Sequence, residues 1–160
     1  MLKWEHSNAL IRLRGVVHLM NGLLGSYLTD AHSQAGITST EGNVLSVISS
    51  AITPLTVPQV ARVLGISRQA VQMATANLKS RDLIRTSRNP NHKRSPFLHM
   101  TDAGRAALQI ADQRANEALS PILAILDEES VSKVSKDLFK IYNEINRFES
   151  LSESESKYVN

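Results

Sequence analysis

The sequence of 160 residues predicts a mainly α-helical fold with one small β-hairpin. Two long segments near the ends of the chain carry apolar residues at alternating spacings of three and four, the period of an amphipathic helix. Shorter segments with helix-capping residues lie between them, and two stretches with strand-like alternation follow these. A composition of 42% hydrophobic and 21% charged residues fits a single globular domain over residues 1–160.

The first three helices are predicted from apolar spacing and from capping residues. The first spans about residues 3–29, and its glycines favour stabilisation by packing. Thr40 is expected to cap a second helix that ends at Thr53-Pro54. Thr56 and Gln59 form a capping box for a third, short helix. The apolar stripe of the first helix is Leu10, Leu13, Val17, Met20, Leu24 and Tyr27.

Two further helices are predicted in the C-terminal third. Thr101 can cap one of them, which Ser120-Pro121 breaks or kinks. The last helix begins at the acidic run 127–129 and is amphipathic. After this helix, the alternating Ser and Glu residues from Ser152 onward predict a disordered tail over 152–160. The apolar stripe of the last helix is Val131, Val134, Leu138, Ile141, Ile145 and Phe148.

Long striped helices at both ends of the chain favour a homodimer. Segments of about 1–35 and 105–150 would pack against the same segments of a second copy, and a symmetric pair is the commonest way to bury such stripes. The alternative is that the two helices pack only within one chain.

Positive charge is concentrated in the middle of the chain. Residues 54–101 hold eight Lys and Arg side chains against the single acid Asp82, a balance of +7, whereas residues 1–53 are neutral and residues 102–160 carry −4. A basic segment in a near-neutral protein indicates contact with a phosphate backbone. A basic surface that is merely solvated is the alternative.

The spacing of residues 57–78 is typical of a helix-turn-helix. This segment reads VPQVARVLGISRQAVQMATANL. Gly65 can adopt positive φ in the turn, Ile66 would plug the interior, and Ser67 can cap the second helix. Val71 and Leu78 fall on the buried side of that helix. The side chains expected to face outward, toward base edges and phosphates, are Arg68, Gln69, Gln72, Thr75, Ala76 and Lys79.

A basic β-hairpin is predicted after this helix. Residues 83–86 and 98–100 have strand-like alternation, and the loop between them contains SRNPNHKRSP. The cations Arg88, Lys93 and Arg94 lie in this loop. Such a hairpin can place an arginine in the minor groove of DNA. A flexible, soluble loop is the alternative.

Taken together, residues from about Thr40 to Gly104 resemble the winged helix-turn-helix of the MarR family of regulators. The motifs that carry the resemblance are TVPQVARVLGISRQAV, LKSRDLI and NPNHKRSPFLHMTDAG. The flanking helices are similar to the dimerisation region of that family. The implied fold is a winged helix-turn-helix lobe at about residues 38–104, flanked by N- and C-terminal dimerisation helices.

The resemblance also implies a function and a set of site residues. A member of this family would be a homodimeric repressor that binds a pseudo-palindromic double-stranded operator and responds to a small aromatic or anionic effector. Arg94 would enter the minor groove, and the major groove would face Ser67, Arg68, Gln69, Gln72 and Thr75. The candidates for an effector cleft are Trp4, His18, Tyr27 and His32.

The sequence departs from the family pattern at two positions. His92 stands where an aspartate usually orients neighbouring arginines, so the wing is expected to be less rigid. A histidine there could also make DNA binding sensitive to pH. Asp82 replaces the usual glycine after the recognition helix, and aspartate tolerates a left-handed backbone better than most residues.

Several other functions are disfavoured. The chain contains no cysteine, which excludes disulfides, thiolate catalysis and thiol redox sensing. No catalytic constellation, cofactor motif or paired-histidine metal motif is evident, so we expect neither an enzyme nor a metal site. No secretory signal or membrane span is visible, which predicts a cytoplasmic protein. The alternatives are a winged-helix adaptor that binds protein rather than DNA and, with less support, a small DNA-processing factor.

Overall fold

The computed structural model describes residues 8–156 and confirms the predicted fold class. The chain divides into two compact units, Met1–Ala118 and Leu119–Asn160. Its six helices and three strands, counted over the described residues, are α1 (Ala9–Gln34), α2 (Ser39–Ser50), β1 (Leu55–Thr56), α3 (Val57–Leu64), α4 (Arg68–Ser80), β2 (Ile84–Ser87), β3 (Phe97–Met100), α5 (Asp102–Leu123) and α6 (Glu128–Ser156).

The core of the first unit lies between α2, α3, α4, the sheet and the first turns of α5. It is apolar throughout, so its burial supplies the main stabilising free energy of this unit. The α4 residues Val71 and Leu78 are fully buried in it, as the helical spacing predicted. The other members of this core are Ile37, Val44, Leu45, Val60, Ala61, Ala74, Ile84, Leu98, Met100, Leu108 and Ala111.

The sheet has three antiparallel strands in the order β1-β3-β2. The hairpin of β2 and β3 was predicted, and it pairs Ile84 with Met100 and Thr86 with Leu98. Strand β1 was not predicted. It is only two residues long, and it becomes a strand because Leu55 pairs with Leu98 across the sheet. A contact so distant in sequence leaves no local pattern.

The starts of α3, α5 and α6 follow the predicted chemistry, and the start of α2 is shifted. The Gln59 side chain accepts hydrogen bonds from the Thr56 N–H (2.9 Å) and hydroxyl (2.7 Å). The Thr101 hydroxyl accepts from the Gly104 N–H at 3.0 Å, and the run 127–129 begins α6. The prediction of Thr40 as the cap of α2 was wrong. Thr38 caps it, because Glu41 three residues later completes the box.

Two predictions for the C-terminal third need correction. The break expected at Ser120-Pro121 does not occur there: helix α5 continues through Pro121 and ends at Leu123, because a proline in the last turn removes one N–H bond without stopping the helix at once. Helix α6 extends to Ser156, so residues 152–156 of the tail expected to be disordered are helical. Glutamate is a good helix former, and propagation adds a bond per residue. Residues 157–160 lie outside the described chain.

Two left-handed residues shape the ends of α3 and α4. Gly65 has φ +65° and ends α3, as the motif required. Asp82 has φ +55° and follows α4, at the position where the family pattern has glycine. Ile66, expected in the interior, is exposed instead. The turn bond from its N–H to the Ala61 carbonyl orients the backbone, while Val60 and Ala61 fill the interior.

Gly104 allows α5 to begin directly against the chain that leaves α4. A Cβ atom there would lie 2.1 Å from the carbonyl oxygen of Leu83. We therefore expect Gly104→Ala to lower the free energy of unfolding by about 1–3 kcal/mol, despite the higher helix propensity of alanine. Urea denaturation measures this loss. Ala106→Ser, on the exposed side of the same turn, is the control and should stay within about 0.5 kcal/mol of wild type. Equal stability of the two variants would contradict the close approach.

Candidate nucleic-acid interface

Helix α4 presents a polar side whose position follows from its buried side. The Ser67 hydroxyl caps the helix by accepting from the Ala70 N–H at 3.1 Å. Because Val71, Ala74 and Leu78 face the core, the side chains between them project away from it. The predicted residues that are exposed on or just before α4 are Ser67, Arg68, Gln69, Gln72, Ala76 and Lys79.

Thr75 is the exception to the predicted outward set. Its exposed fraction is 7%, and its hydroxyl donates to the Gln72 carbonyl at 3.0 Å. Thr75 lies four residues after Val71 and three before Leu78, so the helical period turns it toward the buried side. The polarity of Thr75 suggested an outward position, but its place in the helical period buries it.

A cleft of about 670 Å³ separates α4 from the β2–β3 wing. We call it the α4–wing cleft. Its floor is apolar and includes Val57, Ile84 and Leu98. Of the predicted DNA-contacting residues, Ser67, Gln69 and Arg88 lie outside its lining. Those that the fold brings together around it are Arg68, Gln72, Thr75, Lys79, Lys93 and Arg94.

The positive charge around this cleft is not neutralised by the protein itself. Within residues 8–148, all five cations of the predicted interface lack an ion-pair partner, and all five are exposed. Four cations of the later helices differ: Arg105, Arg114, Lys133 and Lys140 each pair with an aspartate or glutamate. Four of these unpaired cations line the cleft, Arg68, Lys79, Lys93 and Arg94, and the fifth, Arg88, lies outside its lining. Such a surface attracts a polyanion.

The wing loop is held by Asn89, a residue whose role the sequence analysis missed. Asn89 is buried, its side-chain amide donates to the Ser95 carbonyl at 3.0 Å, and its side-chain oxygen accepts from the Asn91 N–H at 3.0 Å. The Ser95 N–H also donates to the His92 carbonyl at 3.0 Å. These bonds brace the loop where His92 replaces the family aspartate. The Asn-x-Asn spacing, typical of an Asx turn, was the available signal.

Three of the four predicted effector residues lie on α1. Trp4 lies outside the described residues. His18 and Tyr27 are exposed on α1, and His32 is buried near the end of that helix, with an exposed fraction of 6%. None of these three lines the α4–wing cleft.

His32 packs directly on the backbone of α2. A Cβ atom added to Gly42 would lie 2.2 Å from the His32 Nε2 atom, so only glycine leaves room for the ring. The His32 Nδ1 atom is buried without a hydrogen-bond partner. Burial lowers the pKa of His32 below its usual value of 6.5, and attraction to Asp112 offsets this only in part.

The described residues provide neither a metal-binding cluster nor a membrane-spanning helix. Across residues 8–156, no group of three or more His, Asp or Glu side chains is placed to hold a metal ion. Over the same range, no helix has the length and apolar character that a membrane span requires.

Comparison with known proteins identifies the protein family of this chain. A family model described as the MarR family matches residues 35–95, which include the helix-turn-helix and most of the wing. The chain belongs to the MarR family. Members of this family are DNA-binding transcriptional regulators. This MarR-family chain has the helix-turn-helix and the wing of that fold.

Uncharacterised mycobacterial proteins are also similar to the chain. One from Mycobacterium tuberculosis and one from Mycobacterium bovis are each 38% identical to it over 109 residues, which cover 68% of this chain and 75% of theirs. They extend the similarity well beyond the family model.

Several solved structures share the fold, and two of those described below are MarR proteins. A regulator from Rhodococcus sp. RHA1 matches with a TM-score of 0.70 and 16% identity, covering 85% of this chain and 96% of that one. A mutant E. coli MarR complexed with operator DNA matches with a TM-score of 0.63 and 24% identity, covering 86% of this chain and 99% of that one. CouR from Rhodococcus jostii RHA1, bound to p-coumaroyl-CoA, matches with a TM-score of 0.64 and 18% identity, covering 84% of this chain and 92% of that one.

The burial of His32 predicts a loss of stability in weak acid. As the pH falls through about 6.5, the unfolded chain binds a proton at this residue that the folded chain resists. The free energy of unfolding therefore falls, by up to about 1.4 kcal/mol for each pH unit over which the folded ring stays neutral. Urea midpoints at pH 7.5 and 5.5 measure the difference. His32→Gln should reduce it, and His18→Gln, an exposed histidine on the same helix, should not. An unchanged difference in His32→Gln would refute this origin.

Proposed function

We propose that the protein is a homodimeric, effector-responsive repressor that acts in the cytoplasm on a pseudo-palindromic operator. The observation that carries this proposal is the set of exposed, unpaired cations on α4 and the wing, on either side of one cleft. Phosphates would supply the missing negative charge, and release of their counterions would favour binding. Half-sites are expected about 10–10.5 base pairs apart, one for each protomer.

Base readout is assigned to the first turns of α4. Arg68, Gln69 and Gln72 are exposed there, and the capped end of the helix is free to enter the major groove. Arginine pairs well with guanine and glutamine with adenine, each through two hydrogen bonds. Thr75 has no direct part in this proposal because it is buried. Lys79, farther along the helix, is assigned to the phosphate backbone.

The wing is assigned to the minor groove and its flanking phosphates. Arg94 lies near the tip of the loop that Asn89 braces, and Lys93 and Arg88 lie beside it in sequence. A narrow minor groove has a strongly negative potential that attracts arginine. Arg94 is therefore proposed as the inserted residue, and Lys93 and Arg88 as phosphate contacts.

The terminal helices are proposed to form the dimer. On α1, Leu10, Val17, Met20 and Leu23 are exposed, and on α6 the exposed apolar residues include Phe148. Stripes of this size on both helices favour burial against a second copy. A dimer would also present two α4 helices to successive turns of the operator.

Response to an effector is proposed from family membership and from the ligand of one structural neighbour. CouR binds p-coumaroyl-CoA in its solved structure, a ligand with aromatic and anionic parts. His18, Tyr27 and His32 on α1 are the described residues that we assign to such a cleft, together with Trp4. By linkage, an effector that weakens DNA binding would itself bind less tightly to the DNA complex.

The first test of this function compares two substitutions across the cleft. Arg94→Ala should weaken binding to every duplex and reduce the slope of log affinity against log salt by about one, because one cation that displaces counterions from the minor groove is lost. Gln72→Ala should leave that slope unchanged and weaken binding only to sequences that have its preferred base. Fluorescence anisotropy with duplexes selected from a random pool, at several salt concentrations, measures both effects.

The same titration distinguishes a regulator from a protein-binding adaptor. An adaptor would give no steep dependence on salt and no selected sequence. Uniform losses for all duplexes in both variants would contradict the division of roles between α4 and the wing.

The second test concerns the dimer. Sedimentation should give twice the chain mass of 17.6 kDa, and Leu23→Glu on α1 should shift the protein toward monomer because it places a charge in the proposed interface. Ile52→Glu is the matched control, since Ile52 is fully exposed in the loop after α2. A monomeric wild type, or equal effects of the two variants, would contradict the proposal.

A further inference from the structure

The end of α4 is attached to the turn between α1 and α2 by one side chain. Arg81, the C-cap of α4, donates from its guanidinium to the Gly36 carbonyl at 2.6 Å, and it forms an ion pair with Glu41 at 2.8 Å. Its Nε also donates to the Asn77 carbonyl at 3.4 Å. A guanidinium is a planar fork with donors in fixed directions, so contacts with three acceptors define its position.

The acceptor of this ion pair is itself held in place. The Glu41 side chain is buried, and the oxygen that pairs with Arg81 also accepts the Thr38 N–H at 2.8 Å. The Thr38 hydroxyl accepts from the Glu41 N–H at 3.3 Å. Glu41 is therefore rigid within the capping box of α2. A buried carboxylate needs a compensating charge, and Arg81 supplies it.

The carbonyl that Arg81 contacts belongs to an ordered turn. The N–H of Gly36 donates to the Ser33 carbonyl at 3.0 Å, and the N–H of Ile37 donates to the His32 carbonyl at 2.9 Å. Gly36 has φ +71°, which aims the chain from the end of α1 into α2. A displacement of the last turn of α1 would therefore move the Gly36 carbonyl, and with it the acceptor of Arg81.

Arg81 lies on a different flank of α4 from the α4–wing cleft. It lines a separate cleft of about 450 Å³ with Asn77 and Ser80 of α4 and with residues of the α1–α2 turn. Neither Arg81 nor these two α4 residues line the α4–wing cleft. The basic character of Arg81 is thus used within the protein.

We propose that Arg81 is a positioning residue for DNA recognition: through Glu41 and Gly36 it sets the orientation of α4 relative to the α1–α2 turn without contacting DNA. This inference rests on the proposed function, because it assigns a role within operator binding. The orientation of α4 decides whether its base-reading side chains reach their base edges together, whereas phosphate attraction tolerates small rotations. Loss of Arg81 should therefore reduce specific binding more than non-specific binding.

The experiment compares Arg81→Met, Glu41→Gln and the double variant with wild type. Each protein is titrated with a selected operator duplex and with a scrambled duplex at several salt concentrations, and its urea midpoint is recorded. We expect Arg81→Met to weaken operator binding about tenfold, with a much smaller change for the scrambled duplex and an unchanged salt slope. Asp102→Asn is the control, since it also breaks an ion pair, the exposed one between Asp102 and Arg105 at the start of α5. It should bind both duplexes like wild type.

The double variant tests whether Arg81 acts through Glu41. Its loss of operator affinity should be close to that of Arg81→Met alone, because the second substitution removes a partner that is already lost. If Arg81→Met does not fold, owing to the unpaired buried carboxylate, the double variant replaces it in the comparison. It should then bind the operator about tenfold more weakly than wild type at an unchanged salt slope.

Three results would overturn the inference. A salt slope reduced by about one, with equal losses for both duplexes, would make Arg81 a phosphate contact. Losses that multiply fully in the double variant would show that the two residues act independently. Operator binding at the wild-type level in Arg81→Met, or in the double variant that replaces it, would remove any positioning role while leaving the proposed function intact. A wild-type protein that binds no duplex at low salt would refute the proposed function, and this inference with it.

Discussion

Burial of one side of α4 is the constraint on which the rest of the structure depends. Val71, Ala74 and Leu78 pack against α2, α3 and β2, and this contact fixes the rotation of the helix about its own axis. Once that rotation is fixed, the positions of Arg68 and Gln72 follow from the helical period. Thr75 shows the same constraint from the other side, since it is polar and yet lies on the buried edge. The chemistry of the site is therefore a consequence of the packing of the core.

The second constraint is electrostatic. The fold places cations from α4 and from the wing around one cleft, and the described chain provides no acids to neutralise them. Like charges repel one another, so the free protein bears an energetic cost that bound phosphates would relieve. Arg81 is basic as well, but its charge is balanced by Glu41. A cation that supports the fold has an ion-pair partner within the protein, whereas one that is available to a ligand has none. Only the structure shows which cations have such partners.

Sequence and structure agree where the responsible interactions are local. The cap at Ser67, the box at Thr56 and Gln59, and the left-handed Gly65 each depend on residues no more than a few positions apart. Periodicity located Val71 and Leu78 correctly for the same reason. Two of the errors lie where a distant contact or a competing local choice decided the outcome. Strand β1 exists only through its pairing with β3, and the Thr38 cap was chosen over Thr40 by the position of Glu41.

The amino-acid sequence by itself determined the order of the helices and the hairpin, the concentration of positive charge and the membership of the MarR family, because all three are encoded in local spacing and composition. Only the tertiary structure decided which cations share a cleft, that Thr75 is buried, that Asn89 braces the wing, and that Arg81 joins α4 to the α1–α2 turn. These features depend on contacts between elements. Such contacts are set by the packing of the whole core, and no short window of sequence contains them.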